Sequence, residues 1–176
     1  MKKQINPFDY SNTITQTLKK GILVTASHDD KINPMTISWG MLGIQWNKPV
    51  FIVFIRKSRF TKKLLDINPN FTINIPIEDI HSSILVGCGT KSGRDIDKIK
   101  TFQLTPVKAS SINGYALKEF PLTLECKIIY QQAQLETQLS NEIIDRFYTK
   151  DADLHDYHIA YYGEIVDSYI LGEHHV

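Results

Sequence analysis

The segment from Cys88 to Lys98 has the residue types expected of a loop that wraps an anionic, hydrogen-bonding ligand. It contains three cations, three hydroxyl or thiol side chains and two glycines: Lys91, Arg94, Lys98, Cys88, Thr90, Ser92, Gly89 and Gly93. Glycines let a backbone approach a ligand closely and adopt positive φ angles. We expect Asp95 to cap a short helix here, with Lys98 one turn later on the same side. The alternative is an ordinary glycine-rich loop whose cations face water.

A second pattern that favours anion binding follows a predicted buried strand. Val50–Ile55 is an unbroken apolar run, and it is too short to span a membrane. The basic loop 56–61 comes next, and the sequence from Lys62 to Ile67 predicts a helix that Pro69 ends. Free N–H groups and the helix dipole at such a junction favour a phosphate. In the alternative interpretation a hydroxyl of the loop only caps the helix and the cations are solvated.

Two common nucleotide-binding motifs are excluded by their glycine spacing. A P-loop has a glycine directly before its lysine and another glycine five residues before that one. In this chain Thr90 separates Gly89 from Lys91, and Ile84 occupies the earlier glycine position. No Gly-x-Gly-x-x-Gly follows a predicted strand, so we expect no Rossmann site for a nicotinamide cofactor.

The cysteines and histidines give little support for thiol or metal chemistry. Two cysteines are too few for a disulfide framework and favour a reducing cytoplasm. Cys126 alternates with apolar residues, as a small core residue does. Cys88 adjoins the basic loop, where cations would lower a thiol pKa, but we favour a structural role for it. His155 and His158 have no obvious third ligand, so we expect no metal site.

Length and charge narrow the class of protein. A chain of 176 residues can bury a substantial core, and we expect a single domain over residues 1–176. Twenty basic and nineteen acidic residues give a net charge of +1. Such a balance predicts no general attraction to nucleic acid or to an anionic membrane. The first residues lack the apolar run of a signal peptide, which also favours the cytoplasm.

Alternation and turn residues predict mainly strands with a few short helices. Besides Val50–Ile55, the predicted strands are Ile22–Ser27, Met35–Ile44, a half-buried Phe71–Ile75, Leu122–Ile128 and His158–Leu171. The predicted helices, besides that of residues 62–67, are Thr13–Lys20, Glu78–Val86 and Ser140–Phe147, the last with Ser140 as its cap. The absence of a regular βαβ pattern favours a mainly β fold, an antiparallel barrel with short peripheral helices.

Three motifs in this order resemble the flavin reductase-like family, whose members include flavoredoxins. They are Asn33–Trp39, the loop Arg56–Thr61 and Cys88–Lys98, at about the spacing of that family. The resemblance is continuous from about Gly21 to Pro106 and returns more weakly near the last two predicted strands. It implies an antiparallel split β-barrel that binds FMN, and a homodimer with the flavin near the subunit interface.

The resemblance also implies roles for individual side chains. The loop Arg56–Thr61 would bind the phosphate of FMN, and Lys98 would lie near the part of the ring that becomes negative on reduction. Trp39 and His158 match the family's flavin-site tryptophan and histidine, although either could be an ordinary structural residue. The expected cofactor-binding residues are Asn33, Thr36, Ser38, Trp39, Arg56, Ser58, Arg59, Thr61, Cys88, Ser92, Arg94, Lys98 and His158.

The expected function follows from the chemistry of the flavin, which needs no protein nucleophile. We expect an FMN-binding oxidoreductase, an NADH- or NADPH-dependent flavin or ferric-complex reductase. The alternative is a non-catalytic, flavoredoxin-type electron carrier that partners another redox protein. A third interpretation, a cofactor-free β-barrel interaction protein, fails if the protein binds flavin.

Overall fold

The computed structural model describes residues 1–77, 82–149 and 154–172. Its strands are β1 (Lys2–Gln4), β2 (Ile22–His28), β3 (Lys31–Ile37), β4 (Gly40–Gln45), β5 (Lys48–Arg56), β6 (Asn70–Ile75), β7 (Pro106–Lys108), β8 (Tyr115–Leu117), β9 (Leu122–Ala133) and β10 (His158–Leu171). Its helices are α1 (Ser11–Lys20), α2 (Phe60–Ile67), α3 (Ser82–Thr90), α4 (Lys98–Thr101) and α5 (Asn141–Phe147), with 3₁₀ turns at Pro7–Tyr10 and Glu136–Gln138. The prediction of a mainly β chain with short helices is confirmed.

The large antiparallel sheet closes on itself as a split barrel. Its strand order is β3-β2-β6-β9-β10-β5-β4, and β1 pairs with β10. The strands at the two ends of this order, β3 and β4, are joined by only Ser38 and Trp39. Because so short a connection brings the two edges together, the sheet must curve into a barrel. Strands β7 and β8 form a separate hairpin.

The barrel interior holds the apolar core. Phe51, Val53 and Ile55 of β5 point inward with residues of β2, β6, β9 and β10, and Ile14 of α1 packs among them. Burying one such side chain fully contributes about 1.5–3 kcal/mol to folding. Cys126 belongs to the same cluster and is fully buried, which confirms it as a core residue.

The predicted strand Met35–Ile44 is wrong as a single element. Strand β3 pairs with β2, whereas β4 pairs with β5 on the other edge of the sheet. The chain therefore turns a corner at Ser38 and Trp39, which lie exposed between the two strands. The predicted strand is divided because its two halves pair with different strands. A run of alternating residues does not reveal such a change of partner.

Strand β6 is not half-buried as predicted, because both of its faces are covered. Thr72 and Asn74 are fully buried on the face opposite the core. The hydroxyl of Thr72 donates to the Tyr115 carbonyl at 2.7 Å, and the side-chain oxygen of Asn74 accepts from the Leu117 N–H at 3.1 Å. Strand β8 thus supplies polar partners for side chains that sequence alternation assigns to solvent.

Helix α3 extends further than predicted and takes in part of the glycine-rich segment. The predicted residues 78–81 lie outside the described residues, but the helix runs on past Val86 to Thr90. A Cβ at Gly87 would lie 2.2 Å from the Phe102 ring, and one at Gly89 would lie 3.3 Å from Thr36. These glycines therefore permit close helix packing rather than marking a loop.

The helix caps also differ in part from the predictions. Asp97, not Asp95, caps α4, since its carboxylate accepts from the Lys100 N–H at 3.1 Å. Lys98 is therefore the first residue of α4 and not one turn beyond Asp95. Ser140 does precede α5, but its side chain makes no capping hydrogen bond. No described helix is long and apolar enough to cross a membrane.

Candidate functional site

Two adjoining cavities lie between β3, the loop before α2, and the end of α3. The smaller, of about 150 Å³, is called the basic cavity, and the larger, of about 300 Å³, the aromatic cavity. Met35, Arg59 and Gly89 line both, so the two cavities adjoin, and together they are called the cleft. The basic cavity also contains Asn33, Ser58, Phe60, Thr61, Cys88, Thr90, Lys91, Ser92, Gly93, Arg94 and Lys98. The aromatic cavity also contains Thr36, Ile37, Ser38, Trp39, Phe54, Arg56 and His158.

The structure brings all thirteen predicted site residues to this cleft. Eight of them, including Arg59, line the basic cavity. The other five line the aromatic cavity, which Arg59 also borders. Their convergence follows from the fold, because β3, the end of β5 and the start of β10 meet at one end of the barrel. Their role toward a cofactor stays a prediction.

The basic cavity is strongly electropositive. Its lining includes four cations and four hydroxyl groups, those of Arg59, Lys91, Arg94, Lys98, Ser58, Thr61, Thr90 and Ser92. Within the described part of the chain no carboxylate lines it. Cations and hydroxyl donors around a small space are the groups that bind a phosphate with charge-assisted hydrogen bonds.

Lys98 is the buried cation of this cavity and is only 3% exposed. Its ammonium donates to the Cys88 carbonyl at 2.8 Å and to the Pro34 carbonyl at 3.0 Å. An ammonium has three protons, so one donor remains beyond these two bonds. Burial lowers the pKa of Lys98, and the nearby positive charge of Arg59 lowers it further, while the Cys88 thiol acts in the opposite direction. An anion in the cavity would relieve the repulsion between the two cations.

Asn33 presents a buried acceptor that lacks a partner. Its Nδ2 donates to the Thr61 hydroxyl at 2.9 Å, and that hydroxyl donates to the Met35 sulfur at 3.3 Å. Its Oδ1 is buried and accepts no hydrogen bond from any described residue. Leaving such an atom unsatisfied costs about 1–3 kcal/mol. A ligand with an N–H or O–H group would remove this cost.

Gly93 explains how the 88–98 segment approaches Asn33. A Cβ at this position would lie 2.1 Å from the Asn33 Oδ1 and 2.9 Å from the Phe60 ring. Because any side chain would collide with both, only glycine lets the segment lie directly over the polar wall of the cavity.

Arg56 and Arg59 have different surroundings although both belong to the same predicted loop. The Arg56 guanidinium donates to the Phe147 carbonyl at 3.1 Å and to the Asp156 carbonyl at 3.4 Å. It also lies over the Tyr148 ring, 5.1 Å from its centroid. Among the described residues, no acceptor binds the Arg59 guanidinium. Arg56 therefore links distant parts of the chain through these carbonyls. Arg59 is the arginine available to an anion in either cavity.

Ser58 also has a partner that the sequence does not reveal. Its N–H donates to the Asp156 carboxylate at 3.0 Å, and its hydroxyl donates to the other oxygen at 2.5 Å. Arg94 donates to the Ser58 carbonyl at 2.7 Å and so joins the two basic segments. The loop is therefore held from both sides in its present shape.

The aromatic cavity is bounded by stacked rings. Trp39 is 41% exposed and contacts Phe147 edge-on at 5.1 Å and His158 at 5.0 Å between ring centroids. A planar ligand could pack on the exposed part of the indole and gain about 0.5–1.5 kcal/mol beyond buried area. Sequence reasoning missed Phe147, Tyr148 and Asp156, because no local motif marks residues that reach the site from so far along the chain.

Cys88 lines the basic cavity as a neutral thiol. Burial raises its pKa from 9.0 to about 11, although the Lys98 charge acts in the opposite direction. Desolvation thus outweighs the neighbouring cation, so that the thiol pKa is raised and not lowered. This result agrees with a structural role.

At pH 8 we expect neither cysteine of the folded protein to react measurably with a thiol reagent, whereas two thiols should react after unfolding. Burial also raises the pKa of Cys126 well above its usual range. Because the Cys88 pKa is higher in the folded state, the unfolded chain ionises first as the pH rises. The thiol contribution to stability is therefore present below about pH 9 and lost toward pH 11. Rapid labelling of native Cys88 at pH 8 would contradict this.

Comparisons with known proteins point to one family. The family model described as a flavin reductase like domain matches residues 17–175. The flavoredoxin of Desulfovibrio vulgaris (Miyazaki F) superposes with a TM-score of 0.65 at 24% identity, over 85% of this chain and 68% of that chain. An FMN-binding domain of a flavin reductases-like enzyme from Shewanella baltica OS155 has a TM-score of 0.64 at 14% identity, over 97% and 77%. A split-barrel protein from Shewanella frigidimarina NCIMB 400 has a TM-score of 0.65 at 19% identity, over 94% and 75%. Among curated protein sequences, none matches the chain.

Proposed function

Since the chain belongs to the flavin reductase-like family, we propose that it binds FMN in its cleft and accepts electrons from NADH or NADPH as a flavin or ferric-complex reductase. The observation that supports this best is the pairing of the two cavities. A pocket with four cations, and with no carboxylate among the described residues that line it, adjoins a pocket walled by Trp39, Phe54 and His158. FMN has the matching parts, an anionic phosphate and a planar apolar ring joined by a polyhydroxyl chain.

The residues present fit FMN on two further observations. The unpaired Oδ1 of Asn33 offers an acceptor to a ribityl hydroxyl or to a ring N–H. Gly93 lets the Cys88–Lys98 segment lie close to this acceptor, because a Cβ there would be 2.1 Å from the Asn33 oxygen. Both residues line the basic cavity together with Ser58, Arg59 and Thr61, so polar atoms of the ligand in that cavity would lie near this acceptor.

In this proposal the protein binds and orients, and FMN, when bound, supplies the hydride or electron transfer. Arg59, which lines the basic cavity, would hold the phosphate. Thr36 and Ser38 would supply polar contacts beside the ring, and Trp39 would pack against it. The positive charge of Lys98 and Arg94 would favour the reduced, more negative form of the cofactor.

Similarity to flavoredoxin favours a second candidate function, a non-catalytic FMN electron carrier. One experiment separates the two. The purified protein, loaded with FMN and freed of oxygen, is mixed with NADH or NADPH while the flavin absorption band is followed. Rapid bleaching supports the reductase, and bleaching only after a redox partner protein is added supports the carrier. A protein that binds no FMN at all contradicts both.

We also propose that the protein is a homodimer, with a self-complementary face beside the aromatic cavity. The inward residues of β5 alternate with Ile52 and Phe54, which point to the opposite side of the sheet. Neighbouring side chains on that outer side are also apolar. The outer aromatic face consists of Met41, Trp46, Ile52, Phe54, Tyr130 and Tyr162.

The exposure and chemistry of the outer aromatic face favour a second copy of this chain as the partner that covers it. Met41 and Trp46 are 57% and 56% exposed. Trp46, Tyr130 and Tyr162 contact one another, with ring centroids 5.1–6.4 Å apart. An uncharged, aromatic surface is typical of the buried centre of a protein interface, and two-fold pairs are the commonest oligomers. Phe54 belongs to this face and to the aromatic cavity, so a partner would approach the cavity directly.

We expect sedimentation equilibrium at micromolar concentration to give about twice the chain mass of 20.2 kDa. Tyr162→Arg should produce monomers, because it buries an unpaired charge in the interface. Ile67→Arg serves as the control, since Ile67 is an exposed apolar residue at the end of α2 and lies outside the outer aromatic face. A parent protein that is monomeric with FMN bound contradicts the proposed homodimer with the flavin near its interface.

A further inference from the structure

His158 is joined to two side chains that are not among the thirteen predicted site residues. The Tyr148 phenol oxygen lies 2.7 Å from Nδ1 of His158 and 3.0 Å from Oε1 of Gln134. The His158 backbone N–H also points to this Oε1, at 3.3 Å. Gln134 is anchored beside them, because its own N–H donates to the His158 carbonyl at 2.9 Å. We call Gln134, Tyr148 and His158 the histidine relay.

The donors around Gln134 determine which way its amide faces. A backbone N–H can only donate, so the amide atom that faces the His158 N–H must be the oxygen and not the NH₂ group. The same oxygen lies within hydrogen-bond distance of the Tyr148 hydroxyl, which has a single proton. If that proton pointed to His158, two oxygens would face each other at 3.0 Å with no proton between them. Tyr148 therefore donates to Gln134.

The direction of that bond determines the bond to histidine. With its proton engaged, the Tyr148 oxygen can only accept from Nδ1 of His158. In a neutral imidazole one nitrogen is a donor and the other an acceptor, and the hydrogen bond of one nitrogen selects the tautomer. We infer that the histidine relay holds neutral His158 in the Nδ1–H tautomer, so that this side chain gains and loses its proton at Nε2. Gln134 and Tyr148 are thus positioning residues of the site.

Burial supports a fixed relay. Tyr148 and His158 are only 3% and 6% exposed, so water does not compete freely for their bonds. Burial is the main cause of the raised pKa of Tyr148. The phenol therefore stays protonated at neutral pH and can donate a hydrogen bond. The Arg56 guanidinium also packs over the same ring, 5.1 Å from its centroid.

The inference refines the proposed function, and any role of the His158 tautomer in catalysis rests on that function. The His158 ring lines the aromatic cavity beside Trp39. In the neutral Nδ1–H tautomer, Nε2 is the ring nitrogen that can accept a hydrogen bond, and only the protonated ring can donate there.

Long-range ¹H–¹⁵N NMR of histidine-labelled, full-length protein without flavin tests the tautomer directly. The ring signals of His158 are assigned by their loss in His158→Gln, and a titration identifies the pH at which the ring is neutral. At that pH we expect Nδ1 to have the shift of a protonated, pyrrole-type nitrogen and Nε2 that of an unprotonated, pyridine-type nitrogen. The opposite assignment in the parent protein would overturn the inference.

Two substitutions should reverse the tautomer for different reasons. Tyr148→Phe removes the acceptor for Nδ1–H. Gln134→Met leaves the phenol but frees its proton to be donated to Nδ1. In either variant the two ring nitrogens should exchange shift types, and an unchanged pattern in a folded variant contradicts the relay.

Tyr157→Phe is the matched control, because this ring packs against Tyr148 at 4.8 Å but has no bond within the histidine relay. It should leave the His158 signals in place, and a reversal here would also count against the inference. Since no flavin is present, the measurement stands apart from the proposed function. A protein with the expected tautomer that binds no FMN would refute the function alone.

Discussion

Arg59→Ala is expected to weaken FMN binding by about 1.5–3 kcal/mol, or roughly ten- to a hundredfold. The loss is that of a charged hydrogen bond to the phosphate in the basic cavity, where no described acceptor competes for this guanidinium. Riboflavin lacks the phosphate, so its affinity should be almost the same for the parent and the variant. Equilibrium dialysis or flavin fluorescence with both ligands measures the difference.

Two variants in the same loop sharpen this comparison. Lys57→Ala removes a cation that lines neither cavity and should leave FMN binding nearly unchanged. Arg56→Ala should weaken FMN and riboflavin alike, because it releases the carbonyls of Phe147 and Asp156 and disturbs the wall of the aromatic cavity. Equal losses of the two ligands in Arg59→Ala would show that this arginine does not bind the phosphate.

Lys98→Met should lower the midpoint potential of bound FMN. A charge about 4 Å from the ring at an effective dielectric near 20 contributes roughly 4 kcal/mol at most. Solvent and rearrangement should reduce this to about 1–3 kcal/mol, on the order of 40–130 mV for a one-electron step. Binding of the oxidised ring, which is neutral, should change much less. Potentiometric titration of the parent and the variant measures the shift.

Two opposing effects act on the stability of Lys98→Met. The substitution leaves the Pro34 and Cys88 carbonyls without a donor, at about 1–3 kcal/mol each. It also removes the desolvation cost that lowers the pKa of this lysine, which acts in the opposite direction. Lys100→Met, an exposed position on the same helix, is the control and should move neither quantity. A midpoint unchanged within about 15 mV in Lys98→Met would place the ammonium away from the ring.

The individual site motifs could be identified from the sequence because each is local, whereas their convergence on one site was implied only by the family resemblance. Asn33–Trp39, Arg56–Thr61 and Cys88–Lys98 each carry their polar residues within a few positions, next to a strand or helix that sequence periodicity reveals. The last strand, His158–Leu171, has the predicted bounds, since its alternation and length leave little choice.

The partners of these residues could not be predicted, because they depend on contacts between distant parts of the chain. Lys98 reaches the Pro34 carbonyl, 64 residues away, and Ser58 reaches the Asp156 carboxylate, 98 residues away. No propensity encodes which carbonyl or carboxylate a barrel will bring close. The place of Gly87 in a helix could not be predicted for the same reason. Glycine has a low helix propensity, and its close packing against Phe102 is a contact with a distant residue.

Because the two cavities adjoin, the cleft can recognise whether two chemical groups are covalently linked as well as what the groups are. Met35, Arg59 and Gly89 line both cavities, so a ligand bound at one end holds its other end at the second cavity. A short flexible connection gives the second end a millimolar effective concentration. Inorganic phosphate and riboflavin, supplied as separate molecules, gain nothing from this effect and bind as two independent fragments. The cleft can thus reject abundant phosphate and still retain a ligand in which phosphate and ring are covalently joined.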